Sequence, residues 1–188
     1  MTENLTQAQR IVGSKSKKRE KDDFYPTPPA ATEALLSVEK FSGAIWEPAC
    51  GDGAISEVLK RHGHDVYSTD LVFRGYGTSG IDFLIGYHSH VANIITNPPY
   101  KLAVPFIEKS LACTTEKTAM LLRLNFLEGK ARRKMFESTP LARIHVFSER
   151  VQFARDGKDI GRGGGGLIAF AWFVWEHGYS GKPTVDWI

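Results

Sequence analysis

A tetrapeptide in the middle of the chain, Asn97-Pro98-Pro99-Tyr100, carries residue types that could hold and activate a substrate amine. The two prolines have no N–H group and fix their φ angles, so the Asn97 side chain and the Pro98 carbonyl form a rigid pair of hydrogen-bond acceptors. Two acceptors can take hydrogen bonds from both N–H groups of an aryl amine, which frees the nitrogen lone pair for in-line attack on an electrophile. Tyr100 adds a ring on which a base extruded from a helix could stack.

A glycine-bearing turn precedes this tetrapeptide in the chain, with the sequence Glu47-Pro48-Ala49-Cys50-Gly51-Asp52-Gly53. Its glycines would let the backbone come close to a ligand where a strand turns into a helix. The turn lacks the Gly-Lys-Ser/Thr ending of a phosphate-binding P-loop. From these residues alone, a plain structural turn is as good an interpretation as a ligand cradle.

A carboxylate follows the next predicted strand, where Asp70 could accept hydrogen bonds from both hydroxyls of a ribose. Aspartate at a strand end is also a common turn or capping residue, so both roles stay open. Asp82 follows a weaker predicted strand in the same way.

The elements that must position these residues alternate between short apolar strands and helices. Strands are predicted at 44–46, 66–68, 81–84, 91–96, 118–124, 143–147 and 167–175. Helices are predicted to open at Pro28-Pro29, to follow Gly53, and to span about 105–111 and 128–136. This alternation predicts a mostly parallel sheet with helices on both faces, which binds ligands at the carboxyl ends of its strands. Glu47, Asp70, Asp82 and Asn97 all follow predicted strands.

The motifs, taken in order, resemble those of class I amino-methyltransferases. They are Phe24-Tyr25-Pro26-Thr27-Pro28, the 47–53 turn, Asp70, Asp82-Phe83 and Asn97-Pro98-Pro99-Tyr100. Their order is similar to that of the gamma-type N6-adenine DNA methyltransferases, and small phage and prophage enzymes look closest. The resemblance covers roughly residues 23–188. It implies a Rossmann-like fold with a mostly parallel seven-stranded sheet, an antiparallel last strand and helices on both faces.

The resemblance implies S-adenosylmethionine as cofactor, DNA as partner and N6 of adenine as the methyl acceptor. The residues that would contact the cofactor are Phe24, Tyr25 and Thr27 at its methionine end, Glu47, Gly51 and Gly53 as its cradle, Asp70 at the ribose, and Asp82 and Phe83 at its adenine. The residues that would hold the target base are Asn97, Pro98, Pro99 and Tyr100, with Phe153 as a second stacking surface. For Phe24, Tyr25 and Phe83, ordinary core packing is the alternative.

The expected domain organisation is a flexible basic arm at 1–23 followed by one catalytic domain at 24–188. Five basic residues, Lys15, Lys17, Lys18, Arg19 and Lys21, precede any periodic apolar pattern. We expect no separate target-recognition domain, so contacts with nucleic acid fall to this arm, to a second subunit or to the Gly-rich loop that carries Arg155, Lys158 and Arg162. The alternative for the arm is a solvated tail, and the alternative for the Gly-rich loop is a plain connector. These expectations predict a short or degenerate target.

Composition excludes several other classes of protein. The two cysteines form neither a disulfide framework nor a metal-ligand cluster, which indicates a cytoplasmic protein. The longest apolar run, 167–175, is too short to cross a bilayer. The pairs His62/His64 and His88/His90 have no evident third ligand, so surface histidines are favoured over a metal site. The net charge of +3 permits a polyanionic partner without requiring one.

Three other functions stay open at this stage. The same tetrapeptide could act on a glutamine amide of a translation release factor, although such enzymes usually carry an N-terminal helical domain for which about 23 residues leave no room. A ribosomal-RNA amine is a second possibility, and RNA is therefore a possible partner. The third is a cofactor- or nucleic-acid-binding module without turnover. A homodimer is compatible with all of them.

Overall fold

The computed structural model describes residues 24–86, 90–151 and 168–188. Its strands, in chain order, are β1 (Ile45–Glu47), β2 (Val66–Asp70), β3 (Thr78–Ser79), β4 (Val91–Thr96), β5 (Thr114–Arg123), β6 (Leu141–Val146), β7 (Phe170–Glu176) and β8 (Thr184–Trp187). Its helices are α1 (Pro29–Val38), α2 (Ala54–Arg61), α3 (Ala103–Cys113) and α4 (Lys130–Ser138), and two short 3-10 turns cover Tyr100–Leu102 and Leu124–Leu127.

These eight strands form one sheet in the order β3-β2-β1-β4-β5-β7-β6-β8. Neighbouring strands from β3 to β5 in this order run parallel, whereas β7 lies between β5 and β6 and is antiparallel to both. Strand β8 lies at the edge, parallel to β6. The predicted fold class, a mostly parallel Rossmann-like sheet with an antiparallel strand and flanking helices, is confirmed.

Three details differ from the expectation. The sheet has eight strands rather than seven, its antiparallel strand β7 is followed by β8, and its third strand lies at Thr78–Ser79 rather than at 81–84. Every residue of β3 and β8 is exposed, so neither strand carries the apolar pattern on which prediction from sequence depends. The apolar residues Ile81, Phe83 and Leu84 led to the predicted strand, but this stretch is a loop from which Phe83 packs into the core.

The core is divided by the sheet into two layers. One layer lies between the sheet and helices α3 and α4, and its residues include Phe106, Met135, Phe173 and Trp175. The other packs against α1 and α2 and contains Leu35, Ile55, Leu59, Trp172 and Val174. Strand β7 supplies alternate residues to both layers, which explains why its sequence is apolar at nearly every position.

A buried carboxylate, Glu39, joins the end of α1 to strands β5 and β6 of the sheet. Its side chain is 3% exposed and pairs with Lys117 Nζ at 2.8 Å and His145 Nε2 at 3.0 Å. Arg143 also donates to it, through Nη2 at 3.2 Å and through Nε. Burial by itself raises the pKa of Glu39, but the hydrogen bonds from His145, Arg143 and Lys117 outweigh it and lower the pKa to about 2.

This pKa predicts how the stability of the protein depends on pH. A carboxyl whose folded-state pKa is lowered stabilises the fold above its unfolded pKa, about 4.5, and the stabilisation is lost as pH falls toward 2. We expect wild type to lose about 2 kcal/mol of unfolding free energy between pH 7 and pH 3 relative to Glu39→Gln. Urea denaturation at pH 7, 4.5 and 3 measures the difference.

Glu33→Gln is the matched control, because Glu33 forms an exposed pair with Arg61 and His62. It should change stability little at any pH. Parallel stability curves for wild type and Glu39→Gln would show that the buried pairing does not hold the fold together in acid.

Candidate active site

One pocket at the carboxyl edge of the sheet collects residues from all the predicted motifs that lie within the described chain. Its wall contains the predicted site residues Phe24, Tyr25, Thr27, Glu47, Gly51, Asp70, Asp82, Phe83, Asn97 and Pro99. Gly53, Pro98 and Tyr100 are outside the wall but directly next to residues that form it. Strand ends that are far apart in sequence meet here because β2, β1 and β4 are adjacent and parallel.

Glycine is required at two positions of the turn after β1. Gly51 and Gly53 have φ angles of +57° and +89°, which residues with a Cβ rarely adopt. A Cβ on Gly51 would lie 2.3 Å from the ring of Phe24, and one on Gly53 would lie 2.5 Å from the ring of Tyr76. The turn therefore has a structural role at Gly53, which packs against Tyr76 at the start of α2, while Gly51 lines the pocket.

The carboxylate of Asp70 ties the turn after β1 to the loop after β2. Its Oδ2 accepts a hydrogen bond from the Gly51 N–H at 2.8 Å, and its Oδ1 accepts one from the Val72 N–H at 2.8 Å. Asp70 is thus a turn residue, as one interpretation of the sequence proposed. It also lines the pocket, and each carboxylate oxygen can accept a second hydrogen bond from a ligand.

Glu47 is a buried acid at the floor of the pocket. Only 1% of the residue is exposed, and the Ser56 hydroxyl donates to its Oε2. Burial raises the pKa of Glu47 well above its ordinary value, the Ser56 hydrogen bond opposes this, and the Asp52 and Asp70 carboxylates raise it further. The protonated form of Glu47 is therefore favoured, and a cation bound nearby would shift the group toward its ionised form.

Ser56 was missed by the sequence analysis. It lies on the buried face of α2 and contacts the Ser68 hydroxyl of β2 at 2.6 Å as well as Glu47. The signal that could have found it is a hydroxyl among the apolar residues Ile55, Val58 and Leu59, because a buried polar side chain needs a partner.

Cys50 is a packing residue rather than a nucleophile. Burial, with the Glu47 and Asp70 carboxylates, raises the pKa of its thiol to about 12, so the thiol stays protonated at neutral pH. A Cβ on Gly77 would lie 2.7 Å from the Cys50 sulfur, which shows how closely the loop after β2 approaches this side chain.

The amide of Asn97 is oriented by the segment that precedes α1. Its Nδ2 donates to the Thr27 hydroxyl at 3.1 Å and is 3.4 Å from the Tyr25 carbonyl. These two contacts use the amide's donor side, so Oδ1 is the atom that can accept a hydrogen bond from a ligand. Thr27, at 5% exposure, thereby contributes to the arrangement of the catalytic candidate as well as to the pocket wall.

Three aromatic and acidic residues complete the wall. Phe83 is 2% exposed and packs edge-on against Trp46 with ring centroids 5.1 Å apart, so the core-packing alternative is realised while the residue still borders the pocket. Asp82 accepts the Leu84 N–H at 2.9 Å. Phe24 lies over Gly51, and the guanidinium of Arg74, which the sequence analysis did not single out, lies 4.3 Å from its ring centroid.

Several predicted residues lie outside the described residues. These are the basic arm at 1–23, His88, Phe153, Arg155, Lys158 and Arg162. Within 24–86, 90–151 and 168–188, no group of three or more His, Cys, Asp or Glu side chains is arranged to hold a metal ion. None of the helices found in these ranges has the length and apolar character needed to cross a membrane.

Comparison of the sequence with protein-family models and with curated proteins gives no match. Solved structures do match. The chain is similar to the modification subunit of a proposed type I restriction enzyme from Vibrio vulnificus, with 16% identity and a TM-score of 0.55 over 97% of this chain and 49% of that one. This chain therefore spans about half the length of the Vibrio subunit.

Two further structures match over most of both chains. A proposed RNA methyltransferase from Pyrococcus horikoshii has 16% identity and a TM-score of 0.60, covering 90% of this chain and 96% of that one. The magnesium protoporphyrin IX methyltransferase from Synechocystis, solved with bound S-adenosylmethionine, has 14% identity and a TM-score of 0.50, covering 78% and 76%. At these identities the similarity shows the fold alone, and the chain shares the Rossmann-like fold of these structures.

Proposed function

We propose that this chain transfers a methyl group from S-adenosylmethionine to the exocyclic N6 of adenine in DNA. The observation that carries the proposal is the orientation of Asn97, whose amide oxygen is left available at a pocket that Asp70 and Gly51 also line. A cofactor site and an amine-binding group thus lie on one wall. The structural similarity to methyltransferases, among them a restriction-enzyme subunit and an RNA methyltransferase, supports methyl transfer and a nucleic-acid substrate.

The residues of the pocket fit the proposed cofactor. S-adenosylmethionine carries a positive sulfonium group, and the carboxylates of Asp52, Asp70 and Asp82 line the pocket. The absence of a Cβ at Gly51 lets the ring of Phe24 pack directly on the turn that would hold the cofactor. Asp70 would accept hydrogen bonds from the ribose, Asp82 would accept from the adenine amine, and Phe83 would border the adenine ring.

The tetrapeptide supplies the acceptor chemistry. Asn97 Oδ1 and the Pro98 carbonyl would each accept a hydrogen bond from the target amine and so localise its lone pair on nitrogen. When bound, the cofactor supplies an electrophilic methyl group: a nitrogen–carbon bond forms, the sulfur–carbon bond breaks, and the methylated nitrogen releases one proton to water. Positioning of the amine by rigid acceptors would supply most of the expected rate acceleration, because no general acid or base is needed before the nitrogen–carbon bond forms.

A glutamine amide or a ribosomal-RNA amine could use the same two acceptors, and a binding module could have the fold without turnover. The purified protein should be incubated with radiolabelled S-adenosylmethionine and, separately, with DNA, RNA and a release factor. Label in N6-methyladenine of DNA would support the proposal. Label only in RNA or in the release factor would show that DNA is not the substrate. No transfer to any of the three would overturn the proposed methyltransferase activity.

Asp70→Ala tests the cofactor site. It removes a charge-assisted acceptor for the ribose, so calorimetry should show S-adenosylmethionine binding weakened by about 1.5–3 kcal/mol, and saturating cofactor should restore much of the rate. Asp65→Ala removes an exposed carboxylate just before the same strand and should leave affinity unchanged. Equal affinity of wild type and Asp70→Ala would place the ribose elsewhere.

Asn97→Ala tests the amine site. We expect turnover to fall about 100- to 1000-fold with little change in cofactor affinity, because the lost oxygen acts on the substrate. Thr27→Val keeps Asn97 but removes the hydroxyl that orients its amide, so it should lower turnover by a smaller factor. Since both substitutions act through one group, the double variant should be no slower than Asn97→Ala. Multiplicative losses in the double variant would contradict this coupling.

We also propose that Arg155, Lys158 and Arg162 contact phosphates, which positions a protein on DNA without reading its sequence. Replacing the three together by alanine should flatten the salt dependence of DNA binding and lower activity on all sequences alike. Methylation mapped at single-base resolution on random-sequence DNA should show a short or degenerate context around adenine. A strict site of four or more bases read by this chain would contradict the proposal.

A further inference from the structure

Arg123 stands beside the tetrapeptide at the carboxyl edge of the sheet. Strand β4 ends at Thr96, which is the register partner of Met120, whereas β5 continues to Arg123. Three additional residues carry β5 about 10 Å beyond the end of β4. The Arg123 side chain is therefore placed at the height of residues 97–100, beyond the end of β4.

The guanidinium of Arg123 lies over the ring of Tyr100, 4.6 Å from its centroid. Phe170, the cross-strand partner of Arg123 on β7, has its ring centroid 5.9 Å from that of Tyr100. Tyr100 is thus contacted by two residues that face each other on neighbouring strands. A guanidinium stacked in this way keeps N–H groups at its edge, where they can bind a carboxylate or phosphate in a fork geometry.

The charge of Arg123 is not balanced by any described carboxylate. Arg143 pairs with Glu39 and Glu176, and Arg61 and Arg133 each pair with a glutamate. Arg123 forms no such ion pair within the described ranges, and its buried Nε has no hydrogen-bond partner there. A partly buried cation beside a reactive loop is stabilised when an anion completes its coordination.

We propose that Arg123 binds a backbone phosphate next to the target nucleotide while its guanidinium remains stacked on Tyr100. This inference rests on the proposed function, because a phosphodiester is the anion that a nucleic-acid substrate brings to the tetrapeptide and a glutamine amide brings none. Arg123 is a specificity residue in this role. It selects a nucleotide over a free amine and sets the position of the base relative to Asn97.

Equilibrium binding tests the inference without relying on methyl transfer. A fluorescein-labelled, adenine-containing oligonucleotide is titrated in the presence of S-adenosylhomocysteine at several salt concentrations, and anisotropy is recorded. Arg123→Gln should weaken binding about 10- to 100-fold and reduce the slope of log affinity against log salt by about one. Arg61→Gln removes the same charge from the C-terminal end of α2, at the opposite edge of the sheet, and should leave affinity and slope unchanged.

Arg123→Lys separates the phosphate contact from support of Tyr100. Lysine keeps the charge but not the stacked fork, so the salt slope should stay near that of wild type. Loss of affinity in Arg123→Gln with an unchanged slope, or equal binding by wild type and Arg123→Gln, would overturn the inference and leave Arg123 as packing for Tyr100.

Phosphate substitution gives a test that leaves the wild-type fold intact. Single phosphates around the adenine are replaced by neutral methylphosphonates. At one position the replacement should weaken DNA binding by wild type but should not weaken binding by Arg123→Gln any further. If no position behaves in this way, the inference fails. If wild type neither binds nor methylates DNA, the proposed function itself fails, and the two failures are thus distinguished.

Discussion

The hydrogen bond from the Gly51 N–H to the Asp70 carboxylate is the contact on which the geometry of the pocket depends. It fixes the distance between the loops that follow β1 and β2, and the second oxygen of Asp70 does the same for Val72. Because Gly51 is held in a left-handed conformation, its backbone faces Phe24 without an intervening Cβ. A carboxylate held by two backbone N–H groups is a rigid ligand-binding group, since its own orientation needs no adjustment.

The segment before α1 joins the two halves of the site. Phe24 lies over the glycine turn, while Thr27 and the Tyr25 carbonyl accept hydrogen bonds from Asn97. Residues proposed to cover the cofactor therefore also orient the group proposed to hold the substrate amine. Any shift of this short segment would move both, which provides a physical reason for cofactor and substrate binding to be coupled.

The charged residues of the site are also separated into an acidic group and a basic group. The pocket wall that carries Asp52, Asp70 and Asp82 is acidic and suits a cationic ligand, whereas Arg123 lies against Tyr100, which is outside this wall. The tetrapeptide stands between the two. Under the proposed function, each half of the site is complementary to its own ligand, so an anionic substrate is disfavoured in the acidic pocket and is drawn toward Arg123.

The sequence by itself determined the class of fold and the positions of the chemical groups. Apolar periodicity reports local burial, so the long strands β4, β5 and β7 and the four helices were predictable, and Glu47, Asp70 and Asn97 were correctly expected at the ends of their strands. The exposed strands β3 and β8 were not, because they carry no apolar signal. Only the tertiary structure decided the pairing of Glu39 with Arg143, the contact of Arg123 with Tyr100 and the direction of the Asn97 amide. Each of these joins residues distant in sequence, and the energy of such a contact depends on which surfaces the completed sheet brings together.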